Sequence, residues 1–130
     1  MVQVVVADQR AWVRSAVQLW LEYELHWPVV SEVGHADEVL AVVDTARPTL
    51  LLLDQSLAGL PPAEALRPWL DALRSRSTAL ALIVFYGDAP AAQVAVAHPR
   101  ETWVSKGTSP LDLRSVLQRA AHVCLQGEHP

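Results

Sequence analysis

This chain of 130 residues has one cysteine, one lysine and five glycines, and its apolar runs are short. Each scarcity excludes something. A lone Cys124 rules out an internal disulfide and fits a reducing cytoplasm. The longest apolar stretches fall far below the roughly 18–20 residues a membrane span needs, so no membrane association is expected. Met1-Val2-Gln3 leads into apolar residues without the basic start of a signal peptide. Net charge is −4 with scattered arginines and no basic stripe, which makes direct nucleic-acid binding a poor fit. There is no GxGxxG or Walker motif for nucleotides, and no GxSxG context for hydrolase chemistry at Ser56 or Ser105. The five histidines show no paired spacing beside Cys or Glu, so zinc has no support either.

What is present is a globular pattern: 52% hydrophobic and 18% charged, enough for one domain with a core. Val2 to Ala7 reads as a buried strand ending at Asp8. Ala11 to Tyr23 follows as a helix, with Trp12, Ala16, Leu19, Trp20 and Tyr23 at helical spacing, and Pro28 stops it. Val29–Val33 is a second strand and Asp37–Ala46 a second helix. Leu50–Leu53 is four leucines ending in Asp54, bounded by Pro48 and Gly59. A run of that kind is a strand buried on both faces. Pro61-Pro62 opens a third helix with Leu66, Trp69, Leu70 and Leu73 inward, and Arg74–Ser77 reads as a polar loop. Ala79–Phe85 is a fourth strand, Pro90–Ala97 a short fourth helix and Glu101–Ser105 a fifth strand. Ser109-Pro110 caps a last helix, with Leu113, Val116, Leu117, Ala120 and Cys124 inward and Gly127 at its end. Five strands alternating with five helices predict a doubly wound parallel α/β sheet. The expected domain spans residues 1–126, with a short tail at 127–130.

In open parallel sheets chemistry sits at the carboxyl ends of the strands. Three of those ends carry charge: Asp8 after the first strand, Asp54 after the third and Lys106, the single lysine, after the fifth. Paired carboxylates suit a hard divalent cation such as Mg²⁺, and a lysine suits a phosphoryl oxygen or serves as counter-ion.

The ordered set Val4-Val5-Val6-Ala7-Asp8-Gln9-Arg10, Leu51-Leu52-Leu53-Asp54 and Trp103-Val104-Ser105-Lys106-Gly107, followed by Pro110-Leu111-Asp112-Leu113, resembles the receiver domain of bacterial two-component response regulators. The resemblance covers essentially residues 2–124. It implies a flavodoxin-like receiver fold that is not an enzyme. Its role is to accept a phosphoryl group on Asp54 from a sensor histidine kinase or phosphotransfer protein. It further implies Mg²⁺ held by Asp8, Gln9, Asp54 and the Ser56 carbonyl, and phosphoryl binding by Lys106. Tyr86 and Trp103 would be the switch residues. Dimer or target contacts would run through residues 91–97, 101–105 and 112–122. Two positions depart from the family pattern. Gln9 stands where a second acid is expected, and Tyr86 where a Thr or Ser is expected. An uncharged amide weakens a Mg²⁺ site, because this ion dehydrates reluctantly and favours carboxylates. A phenol hydroxyl lies about 6 Å from Cα against roughly 2.4 Å for Ser, so it cannot make the same motion. A pseudo-receiver, acting as an interaction module without productive phosphorylation, is the alternative reading. A flavodoxin-like or haloacid-dehalogenase-like enzyme is disfavoured, because Asp8 has no second Asp two residues on and no phosphate-cradling loop is present.

Arg10 and Arg14 read as a solvated rim, with Arg10 within reach of the phosphoryl site. His98 reads as an exposed helix end favoured by the dipole, and Cys124 as a core thiol. Most of the tryptophans are expected in helix packing, and any left exposed would be partner anchors.

Overall fold

The computed structural model describes residues 1–87 and 98–127. Its five strands, β1 (Val4–Ala7), β2 (Val29–Val33), β3 (Leu50–Asp54), β4 (Ala81–Tyr86) and β5 (Glu101–Ser105), form one sheet in the order β2-β1-β3-β4-β5. Every neighbouring pair is parallel. The described helices are α1 (Ala11–Glu24), α2 (Val39–Ala46), α3 (Ala63–Arg76) and α4 (Pro110–Gly127), with a 3₁₀ turn at Ala36–Glu38 before α2. The helix expected at Pro90–Ala97 lies outside the described residues, as do residues 128–130.

The sheet separates two cores. Val5, Ala7, Leu51, Leu53, Leu82 and Val84 face α2 and α3. Val4, Val6, Leu50, Leu52, Ile83 and Val104 face α1 and α4. Successive residues of a strand point to opposite faces, so a strand with helices on both sides must be apolar throughout. That is why β3 is a continuous leucine run and why all five of its residues are buried.

Four details differ from the sequence expectations. β1 begins at Val4 and β4 at Ala81, because the ladders start at Val4–Val29 and Leu50–Ala81. Arg74 does not lie in a loop: α3 continues through Arg76, and the Arg74 side chain is buried. Its Nη1 donates to the Leu80 and Arg100 carbonyls at 3.0 and 3.3 Å, and its Nη2 lies 2.7 Å from His98 Nδ1. His98, read as a dipole partner, is thus a neighbour of the Arg74 guanidinium. On α1 the sheet takes the side carrying Leu21, leaving Trp12 at 71%, Leu19 at 68% and Tyr23 at 81% exposure. The apolar residues of this helix spread over more than one stripe, so helical spacing alone did not say which would be covered. No helix among the described residues is long and apolar enough to cross a membrane.

Ser109 caps α4 as its sequence predicts, its Oγ accepting from the Asp112 amide at 3.2 Å. Gly59, in the turn after β3, has a φ of +86°, and a Cβ there would run into the His35 ring. Both the left-handed backbone and the close approach call for glycine.

Candidate functional site

β1 and β3 are paired in register up to Ala7–Leu53, so Asp8 and Asp54 emerge side by side at the carboxyl edge of the sheet. Both are nearly fully buried, at 4% and 5% exposure. Lys106 leaves β5 two strands away, and its long side chain reaches back across the edge. Its Nζ lies 3.0 Å from Asp54 Oδ1 and 3.3 Å from Oδ2. Ser56 donates its amide to Asp54 Oδ2 at 2.9 Å, and its hydroxyl donates to the same oxygen.

The fifth member of the cluster is Arg10. Its Nε and Nη2 meet the two Asp8 oxygens at 3.1 and 3.0 Å, and its own amide donates to Asp8 Oδ1 at 2.8 Å. The same Nη2 lies 3.6 Å from Asp54 Oδ1, so the guanidinium bridges the two carboxylates. Arg14 completes the rim, donating from Nη1 to the Asp8 carbonyl at 2.6 Å and pairing with Glu32 at 3.2 Å. Two acids thus meet two cations within one small cluster. Burial pushes the Asp54 carboxyl up. The bonds from Ser56 and Lys106 outweigh it, and the net shift is below the ordinary aspartate value. The Asp8 carboxylate raises the Arg10 pKa further.

The residues expected to hold Mg²⁺ do not fit that ion as they are arranged. The place between the two carboxylates is taken by the Arg10 guanidinium, which engages both oxygens of Asp8. Gln9 is exposed and makes no side-chain hydrogen bond among the described residues. No group of three or more His, Cys, Asp or Glu suited to a metal occurs among the described residues. A hard divalent ion requires several oxygen ligands, and a cation already in place opposes it by charge.

The two residues read as switches lie on the other face of the edge. The Tyr86 and Trp103 rings are tilted at 49° with centroids 6.3 Å apart. Trp103 is tethered: its Nε1 donates to Glu101 Oε2 at 2.7 Å. Glu101 has a side chain of 0% exposure and a fork-to-fork pair with Arg67 at 2.8 and 2.7 Å. Burial raises the Glu101 pKa, but the bonds from Arg67 and Trp103 bring it below the ordinary value. Arg67 and Glu101 escaped the sequence reading. The one available signal was an acid at the start of a strand that must be half-buried, which requires a cation somewhere in the chain.

Two depressed carboxylates fix the sign of the acid response. A group whose folded pKa is below its unfolded value stabilises the fold above the unfolded value, and that contribution is lost as pH falls through the folded one. For Asp54 and Glu101 the loss therefore sets in below the ordinary carboxylate range of about 3.9–4.3. Thermal melts followed by circular dichroism are expected to fall steeply below about pH 4. A melting temperature unchanged at about pH 3 would contradict the assignment of these two groups.

Five parallel strands in this order, covered by helices on both faces, form a flavodoxin-like sheet of the kind receiver domains have. Solved structures bear this out at the level of fold. The chain is similar to a response regulator receiver domain protein (CheY-like) from Methanospirillum hungatei JF-1, at 17% identity and a TM-score of 0.78, covering 98% of each chain. It is similar to the REC domain of AraT, a response regulator from Geobacillus stearothermophilus, at 24% identity and a TM-score of 0.69, covering 98% of this chain and 99% of that one. It is also similar to RcsB from Salmonella enterica serovar Typhimurium, bound to promoter rprA in the presence of the phosphomimetic BeF3-, at 22% identity and a TM-score of 0.72. That match covers 90% of this chain and 66% of that one. At these identities what is shared is the receiver fold. No protein-family model matches the chain, and no curated protein matches it significantly.

Proposed function

We propose that this chain is a receiver-type signalling module whose acidic pocket is neutralised from within, so that it works as a protein-interaction domain and not through Mg²⁺-dependent phosphorylation. The observation that supports this most directly is Arg10 Nη2 set between Asp8 and Asp54. Phosphoryl transfer relies on a metal to offset developing charge on the phosphoryl oxygens. Here a covalently attached cation takes the charge-balancing role and blocks the ion's place. The tether from Trp103 to Glu101 works in the same direction, since it holds the aromatic side chain that a receiver would move. Partners are other signalling proteins or a second copy of the chain, with residues 101–105 and 112–122 as the contact surface. The expected contribution of residues 91–97 falls outside the described residues. No catalytic activity of its own belongs to this reading.

One observation favours a second reading. Lys106 and Asp54 stand at 3.0 Å, the pairing that a phosphoacceptor in a receiver requires. Asp54 would then take a phosphoryl group from a sensor histidine kinase or phosphotransfer protein. Incubation with millimolar Mg²⁺ and a small phosphodonor, or with beryllofluoride, separates the two. The expected result is no gain in intact mass, no change in tryptophan emission, and an Asp54→Asn variant that behaves like the wild type. A phosphorylated mass that Asp54→Asn abolishes would overturn the first reading in favour of the second.

A further inference from the structure

On the face of the sheet opposite α2 and α3, a cleft of about 530 Å³ opens between α1 and α4 and ends at the Asp54 cluster. Its walls are apolar: Val17 and Trp20 from α1, Phe85 from β4, Leu113 and Leu117 from α4. The two helices approach each other sparsely, with Glu24 and Arg114 linking them at 4.0 Å. The volume lies in the range of small-molecule sites, which combine an apolar body with a few polar groups at one end. Here the polar end is the mouth, and its chemistry is one-sided. Asp8 and Asp54 are nearly fully buried and already accept bonds from Arg10, Ser56 and Lys106. What reaches solvent are the donors. The Arg10 and Lys106 side chains are 39% and 38% exposed, and Arg10 Nη1 has no hydrogen-bond partner among the described residues. Thr108 adds a hydroxyl beside them.

We propose that this cleft is a binding site for a small amphipathic acid. Its anionic head would lie on Arg10 and Lys106, and its apolar body would be inserted between α1 and α4 against Trp20, Phe85 and Leu113. An apolar cavity with donor-only polar groups at its open end is complementary to a molecule with one charged acceptor and an apolar remainder. The inference goes beyond the function proposed above, because such a ligand binds whether or not Asp54 ever accepts a phosphoryl group. It would give the module a chemical input at the edge of the sheet where receivers take theirs, without metal.

The test uses the whole chain and two dyes of similar shape, anilinonaphthalene sulfonate and its uncharged parent phenylnaphthylamine. The sulfonate is expected to bind at one saturable site. Lys106→Gln should weaken it about tenfold, the loss of one charge-assisted hydrogen bond, and leave the neutral dye unaffected. Leu113→Trp, which fills the cleft, should remove both, and Val17→Trp is a second filling variant. In the wild type, raising salt from about 0.02 M to about 0.5 M should weaken the sulfonate alone. Decanoate should displace it at lower concentration than decanol. Sulfonate binding that survives both filling variants, or an equal effect of decanoate and decanol, overturns the proposal. The decanoate comparison needs no variant, so it decides the matter even where a substitution unfolds the chain. The measurements use the unphosphorylated chain, so their failure says nothing about whether Asp54 accepts a phosphoryl group.

Discussion

Glu101→Ala is expected to destabilise the domain by about 3–5 kcal/mol, the cost of breaking a buried ion pair by removing one partner. For a chain of this size that is a drop in melting temperature of roughly 10–20 °C. The physical reason is the position of the carboxylate. Its side chain is fully buried at the start of β5, and it receives two bonds from Arg67 and one from Trp103. Removing it breaks the fork-to-fork pair with the Arg67 guanidinium, which is itself 18% exposed. It also frees the Trp103 indole N–H. Two measurements check this. Thermal unfolding by circular dichroism gives the stability loss, and tryptophan emission reports the released indole. A loss under about 1 kcal/mol, the level of a surface pair, would show that the cluster is solvated in solution. Double substitution of Arg67 and Glu101 by apolar residues should cost less than the single change, because both charges then leave together.

Arg10→Gln combined with Gln9→Asp is expected to raise the divalent-cation affinity of the chain. The double change removes the guanidinium between Asp8 and Asp54 and adds an acid next to Asp8, so the edge moves by two units of charge toward negative. Oxygen donors then outnumber cations there, which is what Mg²⁺ or Mn²⁺ requires. Calorimetric titration with Mn²⁺ should show at least a tenfold gain, about 1.4 kcal/mol, over the wild type. Gln9→Asp alone should gain less, since Arg10 remains as a competitor for the same oxygens. If the double variant folds and binds Mn²⁺ no better than the wild type, Arg10 is not what keeps the ion out.

The fold was largely legible in the sequence, and the reasons are physical. β1 and β3 are central strands buried on both faces, so Val4–Ala7 and Leu50–Leu53 had to be continuous apolar runs. The charged residues at the strand ends were legible too, because Asp8, Asp54 and Lys106 interrupt those runs and the topology brings strand ends together. What could not be read were the directions of long side chains. Arg10 reads as a rim residue within reach of the phosphoryl site, but nothing local shows that its guanidinium folds over Asp8. Glu101 and Arg67 are 34 positions apart and meet only once β5 lies beside α3. Arg74 looked like loop polarity because its carbonyl partners, at Leu80 and Arg100, belong to other segments. Trp12, Leu19 and Tyr23 have the spacing of a buried stripe, but α1 offers several such stripes and the sheet covers one.

The leucine run has a further consequence, for how the chain reaches this state. β1 is synthesised first, yet one of its edges waits for β3, since Val4 pairs with Leu50. Contacts that distant in sequence close slowly. Until they do, four successive leucines of high strand tendency are open to pairing with another chain. Pro48 before the run and the Asp54 carboxylate after it interrupt that template, one by lacking an amide hydrogen, the other by its charge. The residue at the centre of the mature pocket is therefore also a gatekeeper against aggregation during the interval before the sheet closes.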